Sequence, residues 1–290
     1  MTEEKSQGLP PLRQSVIALT VLQGVNNFIP LLVLPFLARV LGVSAYGEVA
    51  FAQALMANFI LVTNYSFTWS TTRKVAVHRS DGDYVNQLFI SAWCSQWLLL
   101  ALSAAAAFAI YLFNPFPFGA TAYVAAFTAV VGNVLFPAWF LQGLEYFRAM
   151  TIIQVTSRLL GLAALLMLVR GPDDVALVLA IQGGAMMVAG VVAIGWLRYK
   201  GIIRFARPAP GALIGELKEG FTLFGSRLAM NMYTTFVPLI VGWVAGSVAV
   251  ACFTVATKVR QAGHSLLEPL ARALFPRMSH LFVHEPRAAR

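Results

Sequence analysis

The chain has 290 residues and a mass of 31.5 kDa; 59% of its residues are apolar, 11% are charged, and the mean hydropathy is +0.73. An ordinary soluble domain carries about 25% charged residues, so a water-soluble enzyme is excluded and an all-α polytopic membrane protein is expected. The net charge of +9 is assigned first to membrane topology, because cytoplasmic loops collect Lys and Arg, and nucleic acid is not an expected partner.

In chain order, a polar segment over 1–14 leads into an apolar stretch of spanning length with no small-residue cleavage site behind it, which reads as an uncleaved first helix. About eight spanning helices are expected, over 16–38, 49–68, 85–113, 121–141, 151–169, 175–197, 221–244 and 248–274, each near the ~20 residues that cross hydrocarbon. Turn chemistry separates them, as in Asn114-Pro115-Phe116-Pro117-Phe118-Gly119 and Gly171-Pro172-Asp173-Asp174. With a cytoplasmic N-terminus, fifteen basic residues fall on inside segments and only Arg170 outside, while Arg39, Arg158, Arg227, Lys258 and Arg260 lie within or at the rim of spans. That asymmetry places both termini in the cytoplasm. Cys94 and Cys252 sit in apolar stretches and make no disulfide framework.

An internal repeat joins the first and seventh helices. Asn27-Phe28-Ile29-Pro30-Leu31-Leu32-Val33 matches Thr235-Phe236-Val237-Pro238-Leu239-Ile240-Val241 at a constant offset of 208. Gln23 then falls on Asn231, and Asn26 on Thr234. Both helices have the same orientation, the parallel-repeat arrangement of transporters built from related halves.

Several motifs together resemble a known family. Leu34-Pro35-Phe36-Leu37-Ala38-Arg39-Val40-Leu41-Gly42, then Tyr46-Gly47 and Phe51-Ala52-Gln53-Ala54, resemble the opening of the bacterial oligosaccharide flippase (Wzx-type) family. Thr71-Thr72-Arg73-Lys74-Val75-Ala76, Phe136-Pro137-Ala138-Trp139-Phe140-Leu141-Gln142-Gly143-Leu144-Glu145 and Leu274-Phe275-Pro276-Arg277-Met278-Ser279 are similar to its later segments. The resemblance implies the multidrug/oligosaccharidyl-lipid/polysaccharide exporter fold, with two six-helix lobes around a central cavity. It implies flipping of polyprenyl-pyrophosphate-linked oligosaccharide across the bacterial inner membrane for O-antigen, capsule or exopolysaccharide synthesis. Membrane lipid and the polysaccharide polymerase machinery are the further partners it implies.

The chain departs from the family pattern at Asn64-Tyr65-Ser66-Phe67, where Asp-Tyr-Gly-Phe is common, and it stops well short of twelve helices. The domain reading is therefore a cytoplasmic N-terminus (1–14), a six-helix lobe (15–200), a cytoplasmic inter-lobe linker (201–219), the first helix pair of a second lobe (220–275) and a cytoplasmic tail (276–290). The expectation is a C-terminally truncated chain that does not transport as an isolated monomer. The alternatives are a multidrug exporter of the same superfamily and a non-functional truncated flippase.

Other motifs carry little chemistry. Asp81-Gly82-Asp83 has the Asp-x-Asp form of nucleotide-sugar enzymes, but it lies in a short loop that cannot enclose a donor and reads as a solvated turn. Gly220-Phe221-Thr222-Leu223-Phe224-Gly225-Ser226-Arg227 has phosphate-loop glycine spacing without the Lys or the preceding strand. His78, His264, His280 and His284 have no partner spacing, so no metal and no cofactor are expected.

The polar residues inside spans are more informative. Lys258, Gln261, Ser265, Glu268 and Arg272 share a face of the eighth helix, which is either an amphipathic surface helix or a span with a polar stripe on a wet cavity. Thr151, Gln154 and Arg158 share a face of the fifth. For Arg158 and Arg227, snorkelling to the headgroups and lining a cavity are both open. The candidate cargo-binding set is Arg39, Arg158, Arg227, Lys258, Arg260, Gln23, Asn26 and Asn231, with Pro30 and Pro238 as hinges and Glu268 as the candidate proton-coupling carboxylate.

Overall fold

The computed structural model describes the backbone of residues 12–113, 119–204, 206 and 211–284, and side chains from 17 onward within these except 227, 232, 233, 262 and 264–284. Among the described residues every regular element is helical. In order these are α1 (Leu12–Val40), α2 (Gly42–Asn64), α3 (Ser70–Val77), α4 (Gly82–Phe113), α5 (Ala120–Leu135), α6 (Ala138–Gly143), α7 (Phe147–Leu168), a single 3₁₀ turn (Pro172–Asp174), α8 (Val175–Tyr199), α9 (Ala212–Thr235) and α10 (Val237–His284).

Seven stretches among them have the length and apolar composition to cross a bilayer, the last being Val237–Gln261, which contains a break at Gly246. The expected eight differ in their details. The second begins at Gly42 rather than at 49, because Gly42 adopts φ 78° and closes the turn from α1 at once. Glycine takes this left-handed conformation without the penalty of a β-carbon. The fourth is divided at Phe136-Pro137 into α5 and α6, since proline cannot donate to the helix ladder.

The seventh is divided at Phe236, with Pro238 in the first turn of α10, where its missing N–H is tolerated. By contrast, Pro30 and Pro35 lie inside an unbroken α1, so the two proline hinges of the sequence repeat are not structural equals. The expected linker 201–219 is helical from Ala212, and α10 continues into the expected tail as far as His284.

Within α10, Gly246 is non-helical at φ 79°, ψ −178°. A methyl group on Gly242 would fall 3.0 Å from Val250 Cγ2, yet eight residues of straight helix span about 12 Å, so the chain doubles back here. α9 and the first arm of α10 run antiparallel to α2. Tyr65 donates from its hydroxyl to Leu217 O at 2.8 Å, Asn58 Nδ2 to Thr235 O at 3.5 Å, and the Ser44 and Ser247 hydroxyls meet at 3.4 Å. The two pieces together thus cover the length of α2, and the second arm of α10 returns.

The tightest seam joins α5 to α8, side by side and parallel. Gly132 faces Met186 and Met187, Gly183 faces Thr128 and Ala129, and Gly190 faces Leu135 and Phe136, with no space for a β-carbon at any of them. Two buried clusters result. One holds Val49, Phe51, Met56, Val130, Val134, Val178 and Val250; the other holds Phe67, Val75, Phe89, Trp139, Phe140 and Leu197.

The second cluster explains the Pro137-to-Glu145 motif as architecture. Trp139 Nε1 donates to Gln96 Oε1 at 3.0 Å, and Gln96, 1% exposed, donates from Nε2 to Thr63 O at 3.4 Å. Thr72 Oγ1 donates to Trp139 O at 3.0 Å, Gly143 admits Val75, and Glu145 pairs with Arg79 at 3.1 Å. The motif thus clamps α6 onto α3.

Candidate functional site: a cationic intramembrane cavity

α1, α2, α7, α8 and α10 enclose a cavity of about 380 Å³. Most of its wall is aliphatic, from Ile29, Val33 and Leu37 of α1, Leu162 and Leu165 of α7, and Ala185 and Met186 of α8. Into this apolar lining project Tyr46 and Gln53 of α2, Gln154, Ser157 and Arg158 of α7, Gln182 of α8 and Lys258 of α10. The cavity therefore has two basic groups, three amides and no Asp or Glu in its lining.

Helical spacing accounts for the α7 contribution. Gln154, Arg158, Gly161 and Leu165 recur at three- and four-residue intervals along one face, and Gly161 brings α7 close to Ala185 of α8. Across the cavity, Gln53 Nε2 donates to Gln182 Oε1 at 2.6 Å, tying α2 to α8. Lys258 Nζ donates to the Tyr46 hydroxyl at 3.4 Å. Among the described residues, neither Arg158 nor Lys258 has a carboxylate within ion-pair distance.

Of the residues expected from sequence, Arg158, Lys258 and Pro30 come together on this cavity. Asn26 lines a smaller adjoining recess that also touches Lys258. Arg39, Arg260 and Gln23 are exposed and do not line the cavity, and Asn231 lies on α9, away from it. The side chains of Arg227 and Glu268 fall outside the described residues. Tyr46, Gln53 and Gln182 are cavity residues that the sequence reading left out. Gln53 and Gln182 had a usable signal, an amide in the middle of an apolar span; Tyr46 had only its place in a family motif, ahead of the second expected span, which says nothing of a cavity.

The two ends of the bundle differ in charge. One rim gathers Arg73, Lys74, Arg79, Arg148, Arg198, Lys200, Arg204 and Lys218 around α3, joined by Arg79 to Glu145 and by Arg204 N, which donates to Asn86 Oδ1 at 2.7 Å. The other rim has a recess lined by Ser44, Glu48, Thr121 and Asp173.

At the basic rim Lys74 bridges Glu216 at 2.8 Å and Glu219 at 2.5 Å on α9. Burial opposes the lysine charge, but hydrogen bonding to Glu216 and Glu219 outweighs it and holds the ammonium above the ordinary lysine value. Gly220 packs on Ser66 with no room for a β-carbon, so its glycine serves close packing. Asp81 caps α4, accepting from Tyr84 N at 3.0 Å, and is exposed, as is Asp83. Asn64, where the family pattern often has Asp, accepts from Asn133 Nδ2 at 2.9 Å.

Comparison with known proteins supplies the rest. The family described as "Polysaccharide biosynthesis protein" matches residues 12–282. The chain is 31% identical over 273 residues to a protein of Escherichia coli (strain K12) named "Putative O-antigen transporter", an alignment covering 94% of this chain and 66% of that protein. A protein of Shigella dysenteriae with the same name is 30% identical over 278 residues, with 94% and 69% covered. The chain spans about two thirds of the length of these relatives. No solved structure matches it significantly.

Proposed function

Because the chain belongs to the polysaccharide biosynthesis protein family, whose two relatives above are named as transporters, we propose that it is the cargo-binding part of a flippase. Its cargo is a polyprenyl-pyrophosphate-linked oligosaccharide, moved outward across the bacterial inner membrane by alternating access. The observation that carries this reading is the pairing of Arg158 with Lys258 in a cavity that has no lining carboxylate.

A diphosphate diester carries about two negative charges that hydrocarbon rejects. The Arg158 guanidinium binds phosphate oxygens as a fork and Lys258 as a point charge, while Gln53, Gln154 and Gln182 contact sugar hydroxyls. An exporter of cationic drugs would favour acids in this lining, so the anionic cargo is the better fit. The basic rim is the cytoplasmic one, by the preference of Lys and Arg for that side. Outward movement of an anion then runs down the membrane potential, worth about 2.3 kcal/mol per charge per 100 mV.

The test joins this chain to the remaining third of the Escherichia coli relative in a strain lacking its flippase, and measures surface polysaccharide with membrane abundance as control. Arg158→Gln should abolish export and Arg158→Lys should not restore it, since lysine cannot reproduce the fork. Normal export by both variants would refute the binding role. Reporter fusions at Asp81 should read cytoplasmic and those at Asp173 external; the reverse would overturn the orientation.

A further inference from the structure

Lys258 enters the cavity on a flexible four-carbon stem, and such stems in spanning helices reach toward the headgroups. What meets it comes from another helix. Tyr46, 3% exposed and one turn into α2, accepts a hydrogen bond from Lys258 Nζ at 3.4 Å. The ammonium lies 5.9 Å from the centroid of the tyrosine ring, which with the shorter distance to the oxygen places it beyond the hydroxyl and near the ring plane, so the hydroxyl and not the ring face holds it.

Lys258 also borders a second space. A recess of about 100 Å³ between α1 and α10 is lined by Asn26, Asn27, Pro30, Leu31, Lys258 and Gln261. In it Asn26 Oδ1 is buried and has no hydrogen-bond partner. A buried acceptor without a donor is costly, and of the donors lining the same recess, Asn27, Gln261 and Lys258, the lysine is the one that carries a charge. Lys258 therefore stands on a wall common to two spaces, with an acceptor on each side of it.

We propose that Tyr46 is a positioning residue whose hydroxyl keeps the charge of Lys258 on the cavity, against the competing pull of Asn26 in the recess. An entering phosphate then meets a cation already in place, and no lysine has to be drawn out of the recess first. This rests on the reading of the cavity as the seat of a diphosphate headgroup. The titratable groups facing Lys258 among the described residues are the neutral Tyr46 of α2 and the charged Arg158 of α7, with Arg260 exposed on its own helix.

The probe is UDP-N-acetylglucosamine, a soluble diphosphate diester, titrated against the detergent-purified chain. Lys258→Gln should weaken binding. Tyr46→Phe keeps the ring and its packing, so the melting temperature should hold while affinity falls about three- to tenfold, the worth of an ordinary hydrogen bond, since this one is long at 3.4 Å. In the Lys258→Gln background the same Tyr46→Phe change should cost nothing more, since coupled residues do not add. Adding Asn26→Leu to Tyr46→Phe should recover affinity by removing the competing acceptor.

An equal loss from Tyr46→Phe in both backgrounds overturns the positioning role, and a loss that Asn26→Leu leaves untouched overturns the competition between the two acceptors. Unchanged binding by Lys258→Gln overturns the cavity reading itself, and the role of Tyr46 with it.

Discussion

Helix α8 has two sides with opposite designs. Toward α5 it presents Gly183 and Gly190, and neither leaves room for a single added carbon. Toward α1 and α7 it presents Gln182, Ala185 and Ala189 to about 380 Å³ of open space, with Met186 at the border between the two sides. Glycine on the first side lets two backbones approach closely, which is how helices gain packing energy where lipid supplies no hydrophobic drive. Small residues on the second side leave a space unfilled, and the amide gives that space polarity. One helix thus separates the residues that hold the bundle together from those that meet a ligand, and the two sets should respond differently to substitution.

The largest effect is expected at the seam. Gly183→Leu should prevent accumulation of folded protein, and even Gly183→Ala should cost about 1–3 kcal/mol by overpacking, read as a fall in the thermal midpoint in detergent. The neighbouring Gly184 has nothing within 4 Å of a would-be β-carbon. Gly184→Ala should leave stability equal or raise it by up to about 1 kcal/mol through helix propensity. If the two alanine variants melt alike, the distinction between the sides is lost.

The next effect is at the cavity. Gln53→Leu strands Gln182 Oε1, which now accepts at 2.6 Å, and should cost about 1–3 kcal/mol. The double variant Gln53→Leu with Gln182→Leu should regain most of that stability while still failing to export. Recovery of export along with stability would make the amide pair structural only and move it to the seam side of the comparison.

A smaller effect belongs to the basic rim. Lys74 is partly exposed, as is Glu219, so Lys74→Met should cost no more than about 1 kcal/mol. The folded-state value of Lys74 is raised. Its contribution is therefore complete below the ordinary lysine value of about 10.4 and is lost as pH rises through the raised one. Melting curves of the native chain and Lys74→Met should differ at neutral pH and converge in the alkaline range; a constant gap would remove the ion pairs from the account. Least of all, Asp81→Ala with Asp83→Ala should leave export unchanged, because both carboxylates are exposed at a helix start.

Legibility in the sequence followed the range of each interaction. The membrane class, the helical composition and the charge asymmetry between loops come from hydropathy and counting, which need no tertiary contact. Arg158 and Lys258 stood out for the same reason, since a charge within an apolar run is costly wherever it lands. The positions of the breaks were less legible. Pro30 and Pro238 occupy matching sites in the repeat, yet α1 is continuous and the chain bends at Phe236. Nothing local to either proline distinguishes them.

The sequence by itself determined that this is a many-helix membrane chain with cations inside its spans. Which of those cations share a space was decided only by packing. Arg158 and Lys258 are a hundred residues apart and line one cavity because α7 and α10 both pack against α1, while Arg39 and Arg260, equally conspicuous along the chain, turn outward. Tyr46 and Gln182 entered the site in the same way, through the turn at Gly42 and the glycine seam that sets the rotation of α8. A helix's apolar pattern says that it is buried, but which of its faces meets a neighbour and which meets a cavity depends on the shapes of the other helices.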